Sequence, residues 1–264
     1  MQGHALQRAF KPLAAALFAG LLPLSVQAAP VCNTPADLVR LARPLSRVSQ
    51  QIAAGKSITV VAIGSSSTAG AGASSPTASY PSQLEVELTT LFHGHRFTVI
   101  NRGVNGEEVA DMLKRFDDGV VAAKPDLVLW QLGTNSVIRD HKIGEHAALI
   151  RAGLKKLRAI GADVVLIDLQ YSPRVIAKPG AEPMVEFLAK TAKQEDVDLF
   201  RRYAVMKRWY QVDHLGFDTF VAPDGLHLND WSYACMAKGL GQAIAEAAQR
   251  PLVSATAYPA HWGP

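Results

Sequence analysis

The chain has 264 residues, 48% of them hydrophobic and 19% charged, with a formal net charge of +4. That length and apolar content suit one sizeable α/β domain, and they exclude a disordered chain, which carries more charge and less apolar surface. No dense Lys/Arg stripe with interleaved aromatic residues occurs, so no nucleic-acid partner is expected.

Residues 1–28 read as a secretory signal peptide. Arg8 and Lys11 precede an apolar run over 13–22, and Ser25-Val26-Gln27-Ala28 supplies the small residues of a cleavage site. The run is too short to span a bilayer comfortably. The chain is therefore expected to be exported, periplasmic or secreted, with no stable membrane insertion after cleavage. The leader holds two basic residues and no acidic one, so the charge of +4 falls to +2 on its removal. Cys32 lacks a Leu-x-x-Cys context, which argues against a lipoprotein. Cys32 and Cys235 permit one disulfide between the N-terminal segment and the last helix; two buried free thiols are the alternative.

Residues 29–55 form an N-terminal helical segment. Thr34 is an N-cap followed by Pro35, and Leu38, Leu41, Leu45, Val48 and Ile52 make one apolar stripe. Pro44 is expected to kink this helix, which should lie on the outside of the domain.

From residue 56 to 250 strands and helices alternate. Apolar strands are predicted over 58–63, 97–100, 127–132, 164–169 and 197–200. Helices are predicted over 80–92, 107–116, 145–160, 184–191 and 231–247. Leu84, Val86, Leu88 and Leu91 should face the core from the first of these, and Ala147, Ile150, Leu154 and Leu157 from the third. Residues 251–264 read as a loosely packed tail. Continuous apolar strands separated by amphipathic helices imply a sheet covered on both faces. The fold class is α/β, a flavodoxin-like three-layer α/β/α sandwich with a mainly parallel five-stranded sheet.

Ligands in such folds bind beyond the carboxyl ends of the strands, and the chemically suggestive turns fall there. Gly64-Ser65-Ser66-Ser67-Thr68 follows the first strand. It is a helix-capping turn or a nucleophile turn, but neither a phosphate loop nor a Gly-x-Ser-x-Gly elbow. Asn101-Arg102-Gly103-Val104-Asn105-Gly106 and Gly133-Thr134-Asn135-Ser136 follow the second and third strands. Each is an ordinary turn or a source of hydrogen-bond donors for an oxyanion. Asp224-Gly225-Leu226-His227 precedes the last helix. A carboxylate three residues before an imidazole can accept its Nδ1–H and leave Nε2 free to take a proton. The other histidines, His93, His95, His141, His146, His214 and His261, are assigned to surface turns. His93 with His95 and Asp213 with His214 lack a third ligand nearby, so no metal is expected.

This order of turns resembles the SGNH (GDSL-type) hydrolase family, from about residue 58 to the last helix. The resemblance implies a serine hydrolase acting on carboxylic esters without a cofactor. Ser66 matches the nucleophile, and Asp224 and His227 the acid and base. Ser66 N–H, Gly106 and Asn135 match the oxyanion donors. Ser65 stands where the family has the aspartate of Gly-Asp-Ser, and Ser136 where its third block often has aspartate. Export favours an envelope or extracellular ester, so a small-acyl, acetyl ester on a small molecule or carbohydrate is the expected substrate. The aromatic residues Tyr171, Trp209, Tyr210, Phe217 and Trp231 are candidates either to stack on sugar rings or to pack loops. An O-acetyltransferase acting on an exported polysaccharide and a non-catalytic polysaccharide-binding module are the alternatives.

Overall fold

Five strands, all parallel, form the central sheet: β1 (Ile58–Gly64), β2 (Phe97–Gly103), β3 (Leu127–Gln131), β4 (Asp163–Ile167) and β5 (Asp198–Phe200). Their spatial order is β2-β1-β3-β4-β5, the flavodoxin-like order, with helices covering both faces. The order reverses at β1, between β2 and β3, so a crevice opens at the carboxyl end of β1. The computed structural model describes residues 30–251. The leader expected over 1–28, His261 and the tail beyond residue 251 lie outside the described residues.

The strands form where the sequence is richest in β-branched and large apolar residues. β3 is buried throughout, and β1 nearly so. β2 runs three residues past its predicted end, because Asn101, Arg102 and Gly103 continue the ladder opposite Ala62, Ile63 and Gly64. Polar side chains there masked the strand. The helix Tyr80–Leu91 buries Leu84 and Leu88, one turn apart, whereas Val86 is 61% and Leu91 38% exposed. The expectation that all four face the core is corrected: a residue two positions on from Leu84 points away from it.

The N-terminal segment differs from the single kinked helix expected. Two helices form, Ala36–Val39 and Ser46–Ala53, with Pro44 in the break between them. The missing amide of a mid-helix proline and its clash with the preceding turn end the first helix instead of bending it. Leu41, Leu45 and Val48 are buried, and backbone N–H groups of the segment dock on carboxylates at the sheet's amino edge. Ala42 and Arg43 N–H donate to Asp198, at 2.7 and 3.1 Å, and Val48 N–H to Asp163, at 3.0 Å. Cys32 is bonded to Cys235 with their Cα atoms 5.4 Å apart, tying the segment to the last helix, Asp230–Gln249. Among the described residues no helix is long and apolar enough to cross a membrane.

One ten-residue helix, Arg202–Gln211, has no counterpart among the helices predicted from sequence. Its apolar residues are interleaved with three Lys or Arg, which hid the period; even Arg202 is buried.

Candidate active site

β1 ends at Gly64 and the chain turns directly into a one-turn helix, Ser66–Ala69, with Ser65 before it. The three serines then face three ways. Ser65 is buried, and its N–H and Oγ–H both donate to Gln131 Oε1 at 2.8 and 2.9 Å. Ser67 is buried, and its hydroxyl faces Gln170 Oε1 at 3.4 Å. Ser66 alone is partly open to solvent. Its Oγ lies 2.8 Å from His227 Nε2. Gly103, at the end of β2, makes this packing possible, because a Cβ there would sit 2.0 Å from Ala69 N and 2.5 Å from Thr68 C.

His227 comes from a tight loop just before the last helix. Asp224 Oδ1 accepts the N–H groups of Leu226 and His227 at 2.9 and 3.0 Å, which closes the turn. Its other oxygen, Oδ2, is hydrogen-bonded to His227 Nδ1. Nδ1 then carries the hydrogen and Nε2 is left to accept from Ser66. Burial pushes the Asp224 carboxyl up, but the hydrogen bonds from the His227 N–H, the ring and Leu226 N–H outweigh it, and the group lies below the ordinary aspartate range. It is therefore ionised at neutral pH. Ala222 N–H donates to His227 O at 2.8 Å and Arg174 N–H to Gly225 O at 3.0 Å, which fixes the loop from two sides. Gly72 packs against it so closely that a Cβ would meet Leu228 O at 2.3 Å.

The turns after β2 and β3 are braced together. Asn135 Nδ2 donates to Glu107 O at 2.9 Å, and Arg139 Nη2 to Gly106 O at 2.8 Å. Glu107 is held by Arg115 through two Nε contacts of 2.8 and 2.9 Å. Glu108 accepts from Ser136 Oγ at 2.8 Å, Arg139 Nη1 at 2.6 Å and His141 Nδ1 at 3.1 Å. Its desolvation, which raises the carboxyl, is outweighed by these donors, and it too lies below the ordinary range. Gly106 has a φ of 78°. The N–H groups of Ser66 and Gly106 have no acceptor among the described residues. Asn135 uses one amide hydrogen on Glu107 and keeps the second.

The structure brings Ser66, His227 and Asp224 into one hydrogen-bonded chain, and Gly106 and Asn135 into one braced turn pair. The residues missed from sequence are the supports. Gln131, the last residue of β3, and Gln170, just past β4, are buried amides beneath the site. A glutamine ending an apolar strand on the ligand side of the sheet was the available signal. One other assignment changes, and one of two alternatives is favoured. His146, expected at the surface, is buried 7% exposed with neither ring nitrogen bonded, and burial holds its pKa down. Among the aromatics, Trp209 and Tyr171 are buried; Trp209 packs edge-on to Trp231 at 5.0 Å. Tyr210, 41% exposed, stacks on Phe217 at 4.4 Å.

The sequence profile of the non-GDSL lipase-like family matches residues 31–250. The chain belongs to that family. The resemblance to SGNH-type hydrolases holds, and with it the class of carboxylic ester hydrolase. An arylesterase of Vibrio mimicus is 29% identical over 156 residues, which cover 56% of this chain and 70% of that protein. A two-domain esterase active on acetylated mannans superposes with a TM-score of 0.68 at 19% identity, over 85% of this chain and 59% of that one. An acetylxylan esterase from Geobacillus stearothermophilus gives 0.61 at 18% identity, over 71% of this chain and 94% of that one. These two likenesses speak for the shared α/β/α fold.

Proposed function

We propose that the chain is an exported serine esterase that hydrolyses acetyl and other small-acyl esters, including those on carbohydrate, through an acyl-enzyme. One observation carries the reading: Ser66 Oγ stands 2.8 Å from His227 Nε2 while Asp224 holds the opposite ring nitrogen. His227 takes the hydroxyl proton as Ser66 Oγ attacks the ester carbonyl carbon. The carbonyl π electrons move onto oxygen, where Ser66 N–H, Gly106 N–H and the spare Asn135 amide hydrogen receive them. The intermediate collapses, His227 gives the proton to the departing alkoxide, and the alcohol leaves. Water then attacks the acyl-serine with His227 again as base, and the acid is released. Asp224 keeps the ring in the right tautomer and balances the imidazolium. No cofactor is required at any step.

The small-acyl and carbohydrate assignment draws on the relatives named above, two of which act on acetylated mannan or xylan. The leader and the Cys32–Cys235 bond support export, since disulfides persist in oxidising compartments. The test is a series of p-nitrophenyl esters of rising chain length beside acetylated oligosaccharides, with Ser66→Ala as control. Turnover highest on acetate and absent in Ser66→Ala is the expected result. Unchanged turnover in Ser66→Ala ends the reading. Slow hydrolysis that gives way to fast transfer on adding a sugar acceptor identifies an acetyltransferase instead.

A further inference from the structure

Gln170 lies three residues past β4 and is fully buried. Its Oε1 accepts from Arg202 Nη2 at 2.9 Å, from Thr134 Oγ at 2.8 Å and from Ser67 Oγ at 3.4 Å. Its Nε2 donates to Leu226 O at 3.4 Å. Three of those partners each adjoin a site residue in sequence. Ser67 follows Ser66, Thr134 precedes Asn135, and Leu226 precedes His227. One amide thus links the turn after β1, the turn after β3 and the Asp224–His227 loop, which approach the site from different parts of the chain.

Arg202 and Leu226 O together fix which way that amide points. A guanidinium has donors and no acceptor, so it must face the oxygen, and the NH₂ is then directed at Leu226 O. Leu226 O, which only accepts, favours the same orientation, and the reversed amide would set its NH₂ against the guanidinium and its oxygen against Leu226 O. Arg202 is an expensive group to keep in this place. It is 1% exposed, and its Nε and Nη1 have no hydrogen-bond partner. The nearest counter-charge is Asp168, whose Oδ1 accepts from Tyr203 N–H at 2.9 Å while Oδ2 is unbonded. Burial raises the Asp168 carboxyl to about 7, against the pull of the Tyr203 N–H and the Arg202 charge. An apolar side chain would fill the same space without stranding a charge. What it could not do is donate to Gln170 Oε1 and so reinforce that orientation.

We infer that Gln170, oriented by Arg202 and Leu226 O, is a positioning residue that aligns Ser66 with His227. The inference rests on the Ser–His–Asp reading above and adds to it a residue that touches no substrate. The test compares wild type, Ser66→Ala, Gln170→Met and Gln170→Glu. Each is scored by thermal midpoint, by kcat and KM on p-nitrophenyl acetate, and by the rate at which a fluorophosphonate labels Ser66. Gln170→Met keeps the volume and removes all four hydrogen bonds. Gln170→Glu keeps the acceptors for Arg202, Thr134 and Ser67 and removes only the donor to Leu226 O.

In both variants kcat is expected to fall about 10²-fold, the cost of a small misplacement of reacting groups. Fluorophosphonate labelling should slow in parallel, with KM within about threefold of wild type. A packing role alone would lower the thermal midpoint and leave kcat per folded molecule unchanged. Either folded variant with wild-type kcat and labelling rate overturns the inference, and Gln170→Glu, the isosteric change, decides the matter where Gln170→Met does not fold. Ser66→Ala separates the two levels. If it retains turnover, the catalytic reading fails. If it is silent while Gln170→Glu is fully active, only the positioning role fails.

Discussion

Three adjacent serines share a turn, and burial distinguishes them. Ser66→Ala removes the oxygen proposed to attack, and its kcat on p-nitrophenyl acetate is expected to fall to the level set by binding and donors alone. Ser65→Ala and Ser67→Ala, whose hydroxyls point into the protein, should retain turnover within about tenfold. Asp224→Asn should lower kcat by about 10³–10⁴-fold with KM little changed, because the amide no longer enforces the Nδ1–H tautomer. Steady-state kinetics on the four purified variants checks all of this, and an Asp224→Asn enzyme near wild-type kcat would contradict the role given to the carboxylate. Ser65 also explains itself. Gln131 Oε1 accepts from Ser65 N–H, Ser65 Oγ and Thr68 Oγ, the last at 3.4 Å. An aspartate at position 65 would set a carboxylate oxygen against that carbonyl oxygen in a buried place. Ser65→Asp, which restores the family's usual Gly-Asp-Ser, should therefore destabilise the chain by about 1–3 kcal/mol and bring no gain in kcat. A urea-unfolding midpoint equal to wild type would show that Gln131 simply turns over.

At the level of elements, the strands and the longer helices were readable because each is a run with one dominant period. β1, β3 and the helix His146–Ala159 fall within two residues of expectation. The helix Arg202–Gln211 was not readable, since its period is broken by basic residues, one of which, Arg202, is buried against partners from elsewhere. The same holds at the site. Ser66, Asp224 and His227 carry chemistry in their own side chains and could be named. Gln131, Gln170 and Arg202 matter only through what they touch, which a sequence does not record. The docking of the N-terminal segment is a further case. Burial of Asp163, with Asp198 and Asp126 nearby, raises its carboxyl to about 6 despite the Val48 and Arg47 N–H groups. Between the unfolded value and about 6 the folded chain therefore binds more protons than the unfolded one. Stability falls as pH rises through that window, and the full penalty applies above it. Asp163→Asn keeps an acceptor for Val48 N–H and removes the charge. It should raise the urea midpoint at pH about 8 and change it little at pH about 4. A loss of stability at the higher pH would mean that the ionised carboxylate holds the segment, and would reverse the sign argued here.

For the molecule as a whole, the Cys32–Cys235 bond joins positions 203 residues apart. It fastens the start of the domain to the last helix, whose N-cap, Asn229, follows the histidine loop by two residues and accepts from Ser232 N–H at 3.1 Å. Cross-linking so long a loop restricts the unfolded chain strongly, and removing such a bond costs about 2–5 kcal/mol. For a domain of this size that corresponds to a fall of about 5–15 °C in thermal midpoint. The Asp224–His227 loop should not share that loss while the protein stays folded. It is closed by its own Asp224 turn and by the hydrogen bonds of Ala222 and Arg174, none of which passes through Cys235. The double variant Cys32→Ala, Cys235→Ala is thus expected to melt lower and to keep wild-type kcat well below its midpoint, and dithiothreitol should do the same to the natural chain. Equal midpoints with and without reductant, or two titratable thiols in the untreated protein, would remove the bond from the account of stability. A proportionate loss of kcat at low temperature would show instead that the last helix carries the alignment of His227.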